Sequence, residues 1–185
     1  AAMLCFAAFS TTAFAGGVAF RRPQLRTRVE LGDDSASITM TEGEPAPRMQ
    51  TEDQLLRQGS FLFPACPDGF HYADGAGAGA AGDADAFIAM ENSEGDRVTL
   101  SVQPVNAGDS FTYSGYAEQI QIHGYDGLYV EENAVNRTGT VVAAYIDTDA
   151  QLLYELYAVS SQLGRVPLDR ETAMSLLGAV QKAAD

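Results

Sequence analysis

From Phe87 onward the chain is a succession of short apolar runs, several alternating with polar residues, broken by turns rich in Gly and Asp. Such a period of two is that of half-buried strands. Phe87-Ile88-Ala89-Met90 and Val98-Thr99-Leu100-Ser101-Val102 flank Asn92-Ser93-Glu94-Gly95-Asp96, which predicts a hairpin with glycine in its turn. Glu118-Gln119-Ile120-Gln121-Ile122-His123 alternates polar with apolar, so one of its faces is wet and the other buried. His123-Gly124-Tyr125-Asp126-Gly127 reads as the next turn, with Leu128-Tyr129-Val130 leaving it. Thr140 to Ile146 and Leu152 to Val159 form another hairpin across Asp147-Thr148-Asp149-Ala150.

The period then changes. Beyond Pro167 and Asp169, residues Ala173, Leu176, Leu177, Val180 and Ala184 make one apolar stripe at helical spacing, suited to covering a sheet. Strands in succession followed by one helix predict an α+β architecture, an antiparallel sheet meander with a C-terminal helix packed on one face.

Ahead of Phe87 the pattern is weaker. Ala36 to Thr41 alternates apolar and hydroxyl side chains like a strand, and Glu42-Gly43-Glu44-Pro45-Ala46-Pro47 breaks it. Thr51-Glu52-Asp53-Gln54 has capping-box spacing and predicts a short helix ending near Gly59. Phe61-Leu62-Phe63 is a brief strand stopped by Pro64, and Cys66 to Phe70 is a turn. Residues 73–86 are 7 Ala, 4 Gly and 3 Asp, a low-complexity loop with no side chains to fill a core. These signals divide the chain into residues 1–20, a linker or juxtamembrane segment over 21–50, and a folded body over 51–185.

Residues 1–20 hold no charged side chain, and a helix of that length spans about 30 Å, a bilayer's hydrocarbon thickness. Two readings stand side by side. Ala13-Phe14-Ala15 makes a small-x-small cleavage site for a signal peptide, and the whole run equally makes a single membrane anchor. A third reading, a plastid-type leader, draws on the arginine-rich, acid-free stretch that follows as far as Val29. The chain opens at Ala1 rather than Met, which suggests that a charged flank precedes it. The body is placed outside the cytoplasm: at the cell membrane, or alternatively secreted or in the plastid lumen.

Charge narrows the partners. The chain has 11 basic and 25 acidic residues, a net −14, and Arg21, Arg22, Arg26 and Arg28 all precede the first acid. Residues 30–185 therefore carry −18, which repels phosphate backbones and excludes nucleic acid as a partner.

Catalytic signals are sparse. The only histidines are His71 and His123. Cys66, Asp68 and His71 stand close enough in sequence to suggest a thiol and its base, yet nothing marks the thiol as activated. Asp83-Ala84-Asp85 and Asp147-Thr148-Asp149 offer oxygen ligands but not a calcium-loop pattern, and the second reads as a hairpin turn. Asn136-Arg137-Thr138 is a glycosylation acceptor in a eukaryotic secretory route. No catalytic, cofactor-binding or metal-binding residue is assigned, and the chain is read as a non-enzyme.

Three stretches carry a family resemblance. Pro67-Asp68-Gly69-Phe70 resembles an opening turn, Ile120 to Tyr129 a strand, glycine turn and strand, and Leu153-Tyr154-Glu155-Leu156 with Leu168-Asp169-Arg170-Glu171 a closing strand and helix cap. In that order they resemble a domain-of-unknown-function family on the outer side of bacterial single-span membrane proteins, often anti-sigma-type or sporulation-associated. The chain departs from it in having no Trp and in its Gly/Ala insert. The resemblance implies an extracytoplasmic sensing or binding domain with an envelope ligand or protein as partner. The alternative is a soluble exported or plastid-lumen assembly factor docking a basic protein.

Overall fold

The computed structural model describes residues 23–45, 61–73, 86–133 and 137–182. These residues form strands β1 (Pro23–Leu31), β2 (Ser35–Pro45), β3 (Phe61–Leu62), β4 (Phe70–Tyr72), β5 (Ala86–Asn92) and β6 (Arg97–Pro104). There follow β7 (Ser110–Ser114), β8 (Tyr116–Ile122), β9 (Tyr125–Glu132), β10 (Thr138–Asp147), β11 (Leu152–Leu163) and, after helix α1 (Arg170–Gly178), β12 (Gln181–Lys182). The α+β expectation is thereby corrected. Among the described residues the fold is β-rich, with one nine-residue helix against strands that build two substantial antiparallel sheets.

The physical reason lies largely in residues 23–45, which fall within the 21–50 segment read as linker or juxtamembrane, with only Ala36 to Thr41 read as strand-like. Leu25, Thr27 and Val29 turn inward while Arg26, Arg28 and Glu30 stay exposed, so the arginines are the wet face of a strand. β1 pairs with β2 from Leu25↔Glu42 to Leu31↔Ala36, and β2 pairs with β7, giving the order β1-β2-β7.

The larger sheet has the order β4-β5-β6-β11-β10-β9-β8. Its chain path is not a plain meander, because β6 exits into the small sheet through β7 and re-enters at the far edge as β8. Gly115 makes that corner. Its φ of +137° lies outside what L side chains adopt readily, and a Cβ there would stand 2.7 Å from the Glu131 carbonyl oxygen. At the β8–β9 hairpin the turn is tighter than the sequence suggests. His123 (φ 53°) and Gly124 (φ 85°) alone make it, with the φ values of a type I′ turn, and Tyr125 to Gly127 already belong to β9.

Two cores result, one on each face of the larger sheet. On the first face Val98, Leu100, Val141, Ala143, Leu156 and Ala158 pack with Ala173, Leu176 and Leu177 of α1. Asp169 starts that helix, its side chain accepting the Thr172 N–H at 2.7 Å. On the second face Leu128, Val130, Ile146 and Leu153 pack with Ile38 and Met40 of the small sheet.

One buried carboxylate fastens the β5–β6 turn to the end of β11. Asp96, fully buried, accepts from Ser160 Oγ at 2.8 Å, Ser161 N–H at 2.9 Å and Asn92 Nδ2 at 3.0 Å. Arg165 Nη2 lies 3.3 Å away. Burial alone would raise its pKa, but these hydrogen bonds outweigh it and hold the carboxyl below its usual value.

Several sequence readings lie outside the described residues: the apolar leader 1–20, the helix starting at Thr51, most of the Gly/Ala loop with Asp83 and Asp85, Asn136, and Ala184. Among the described residues no helix is long and apolar enough to cross a membrane.

Candidate functional site

Successive residues of a strand face opposite ways, and this separates the thiol and imidazole that the sequence sets close together. Phe70 and Cys66 pack against the core under α1. His71 faces the other side, where its Nε2 lies 3.5 Å from Glu91 Oε1. Cys66 and His71 therefore do not assemble as nucleophile and base, and Asp68 is an exposed turn residue. The second histidine is structural, its Nε2 donating to the Gly178 carbonyl at 2.8 Å and tying the β8–β9 turn to the end of α1.

The Asp147-Thr148-Asp149 turn spends its carboxylate on itself. Asp147 Oδ1 accepts the N–H groups of Asp149 at 2.9 Å and Ala150 at 2.8 Å, the ordinary use of aspartate in a turn. Among the described residues no three His, Cys, Asp or Glu side chains converge to hold a metal ion.

Tyrosines form a ladder across the face beneath α1. Tyr145 stacks on Tyr154 with centroids 4.8 Å apart and planes at 2°, and Tyr125 stacks on Tyr145 at 6.1 Å. Gly127, opposite Tyr145, lets β9 lie close against β10, because a Cβ there would collide with the Ala144 carbonyl oxygen and crowd the Tyr145 Cβ. Burial, with Asp147 nearby, pushes the Tyr154 phenol up to about 12. Tyr129, beneath the Arg170 guanidinium at 5.9 Å, is likewise pushed up to about 12, by burial and then by Glu131. Tyr145 and Tyr154 are buried, so the ladder is packing and offers no open surface.

The other face of the sheet is different, because the small sheet covers only half of it. β1 and β2 lie over β8, β9 and β10. The β5, β6 and β11 half carries Phe87, Ser101 and Glu155 in one cross-strand row, Ala89, Thr99 and Tyr157 in the next, and Glu91, Arg97 and Val159 in a third. Phe87 is 48% exposed and Tyr157 42%, while Ile88, next to Phe87 but facing the helix side, is 6% exposed. Where the small sheet ends, the Tyr113 hydroxyl donates to Glu155 Oε2 and marks the boundary between covered and open halves. Burial, then the adjacent Glu155 charge, holds the Tyr113 phenol far above its ordinary pKa.

Among the described residues no strand or helix covers this half, a mixed surface of two aromatic rings among hydroxyls, two acids and one arginine. Its rings offer apolar area and its hydroxyl rows offer hydrogen-bonding groups. The sequence held one signal for it. The polar set Arg97, Thr99, Ser101 and Gln103 alternates with buried Val98, Leu100 and Val102, which declares a wet face on β6. Phe87 and Tyr157 belong to that wet face by register, and the register is what the sequence does not print.

No family model matches the chain, and neither a curated protein nor a solved structure matches it.

Proposed function

We propose that the chain is a non-enzymatic binding module that works outside the cytoplasm, on an anchored or exported protein, and holds a partner on the open half of its larger sheet. The observation that carries the reading is the pair Phe87 and Tyr157, half-exposed on a sheet face whose other half is capped. Covering the exposed half of two such rings removes about 200 Å² of surface from water, worth roughly 5 kcal/mol before the costs of association. The apolar leader over residues 1–20 supports export, and the likeness to outer domains of single-span, anti-sigma-type proteins supports a sensing role. The net charge of −14 favours a second reading, an exported or plastid-lumen assembly factor that docks a basic protein by charge.

Salt distinguishes the two. The chain is titrated against an envelope extract at 0.01 M and 0.1 M salt, beside a variant carrying Phe87→Ser and Tyr157→Ser. Binding that is nearly flat in salt and lost in the variant is the expected result. Binding that falls steeply with salt and ignores the variant favours the acidic docking factor, because the Debye length shrinks from about 30 Å to about 10 Å over that range.

A further inference from the structure

Beside the half-covered face lies a strand edge that no described strand pairs. β7 is the terminal strand of the small sheet, bonded to β2 on one side and to no strand among the described residues on the other. It also reaches the border of the open half, where its Tyr113 hydroxyl donates to Glu155 on β11.

The hydrogen-bond parity of β7 follows from its two ends. The Met40 N–H donates to the Asp109 carbonyl at 3.0 Å, and the Gly115 N–H to the Asp34 carbonyl at 3.0 Å. The register between them pairs Ile38 with Phe111 and Ala36 with Tyr113. In an antiparallel ladder bonded positions alternate, so Phe111 and Tyr113 turn their main-chain groups to β2. Ser110, Thr112 and Ser114 turn theirs outward, to the free edge. Their side chains are exposed, while those of Phe111 and Tyr113 pack inward.

Resting on the binding-module reading, we propose that this edge accepts an extended peptide segment of a partner protein as a fourth strand of the small sheet. The added strand pairs with Ser110–Ser114 and lies over the open half of the larger sheet. Strand addition supplies main-chain hydrogen bonds, and alternate side chains of the peptide face the sheet below. Those inward positions meet Tyr157, Thr99 and Glu155. The segment that fits has an apolar residue to set against Tyr157 and, two positions away on the same face, a lysine or arginine to meet the Glu155 carboxylate.

The test uses a display library of nine-residue peptides selected on the full chain, followed by one synthetic peptide from the enriched set. Enriched sequences are expected to alternate apolar residues and to carry a basic one in phase with them. Amide hydrogen exchange with the peptide bound is expected to slow at Thr112 and Ser114. The substitution Thr112→Pro removes one outward donor without touching a bond to β2, and is expected to weaken the peptide about tenfold. Should that variant unfold, the exchange measurement on the parent chain decides alone. Slowed exchange on the outer edge of β8, unaltered exchange at Thr112, or a library that yields no alternating sequence overturns strand addition. If Phe87→Ser and Tyr157→Ser still abolish binding while Thr112 exchanges freely, the open face binds in another mode, and only strand addition falls.

Discussion

The phenol of Tyr113, on the last strand of the small sheet, donates a hydrogen bond to the carboxylate of Glu155, on a central strand of the large one. It joins the two sheets where the second core ends and the open half begins. Removing the hydroxyl leaves the half-buried Glu155 without that donor. Tyr113→Phe is expected to destabilise the fold by about 1–3 kcal/mol, read as a shift in the urea midpoint with an unchanged slope. A variant that melts like the parent would show that Glu155 finds water as readily as the phenol.

Asp96 predicts the acid side of the stability curve. Its folded pKa lies below its unfolded one, so its contribution is fully present above the unfolded value of about 3.9 and is lost as pH falls through the folded value. Asp96→Asn turns an acceptor into a donor facing Asn92 and Arg165, and is expected to cost about 2–3 kcal/mol at neutral pH. The variant should also lose less stability than the parent between pH 4 and pH 2. Parallel acid limbs in the two proteins would show that other carboxylates carry the acid transition.

The tyrosines predict the alkaline side. Tyr129 and Tyr154 are pushed up to about 12, while the unfolded phenol titrates near 10. Above pH 10 the unfolded chain releases protons that the folded one retains, so stability falls progressively as pH rises from about 10 toward 12. Absorbance of ionised phenol at pH 11 should therefore jump on adding denaturant. A smooth titration of all 8 tyrosines without a jump would contradict the buried ladder.

The helix seat is tested by truncation. Leu177 is wholly buried against the sheet, so Leu177→Ala is expected to cost about 2–5 kcal/mol by thermal or urea unfolding. Ser175, exposed on the same helix, should change stability by less than about 0.5 kcal/mol when replaced by Ala. Equal effects at the two positions would mean that α1 does not sit on the core.

What the sequence made legible follows the strength of its local period. Strands β5, β6 and β8 to β11 and the stripe Ala173, Leu176, Leu177 are readable because burial on one face imposes alternation or helical spacing, whereas β7, with only Phe111 and Tyr113 as apolar positions, went unread. β1 escapes because half of its alternation is written in charges and Thr27 stands among its inward positions. The second sheet follows from β1, so the β-rich character was hidden with it. The open face was hidden for another reason. Ser101, Glu155 and Phe87 are up to 68 positions apart, and only the pairing of three strands brings them into one row. Cys66 and His71 show the converse, closeness in sequence undone by the pleat.

The account rests on the open half-sheet as the surface that meets the partner, and site-specific photo-crosslinking tests it most directly. A photoreactive phenylalanine analogue is placed at position 157, or at position 116, in the full chain expressed in its own cells. Both sites are exposed tyrosines, but Tyr116 stands on the opposite face of the sheet at its far edge, 76% exposed against 42% for Tyr157. The account predicts a discrete crosslinked protein from position 157 and none from position 116. The same crosslinked product from position 116, with none from position 157, would contradict it.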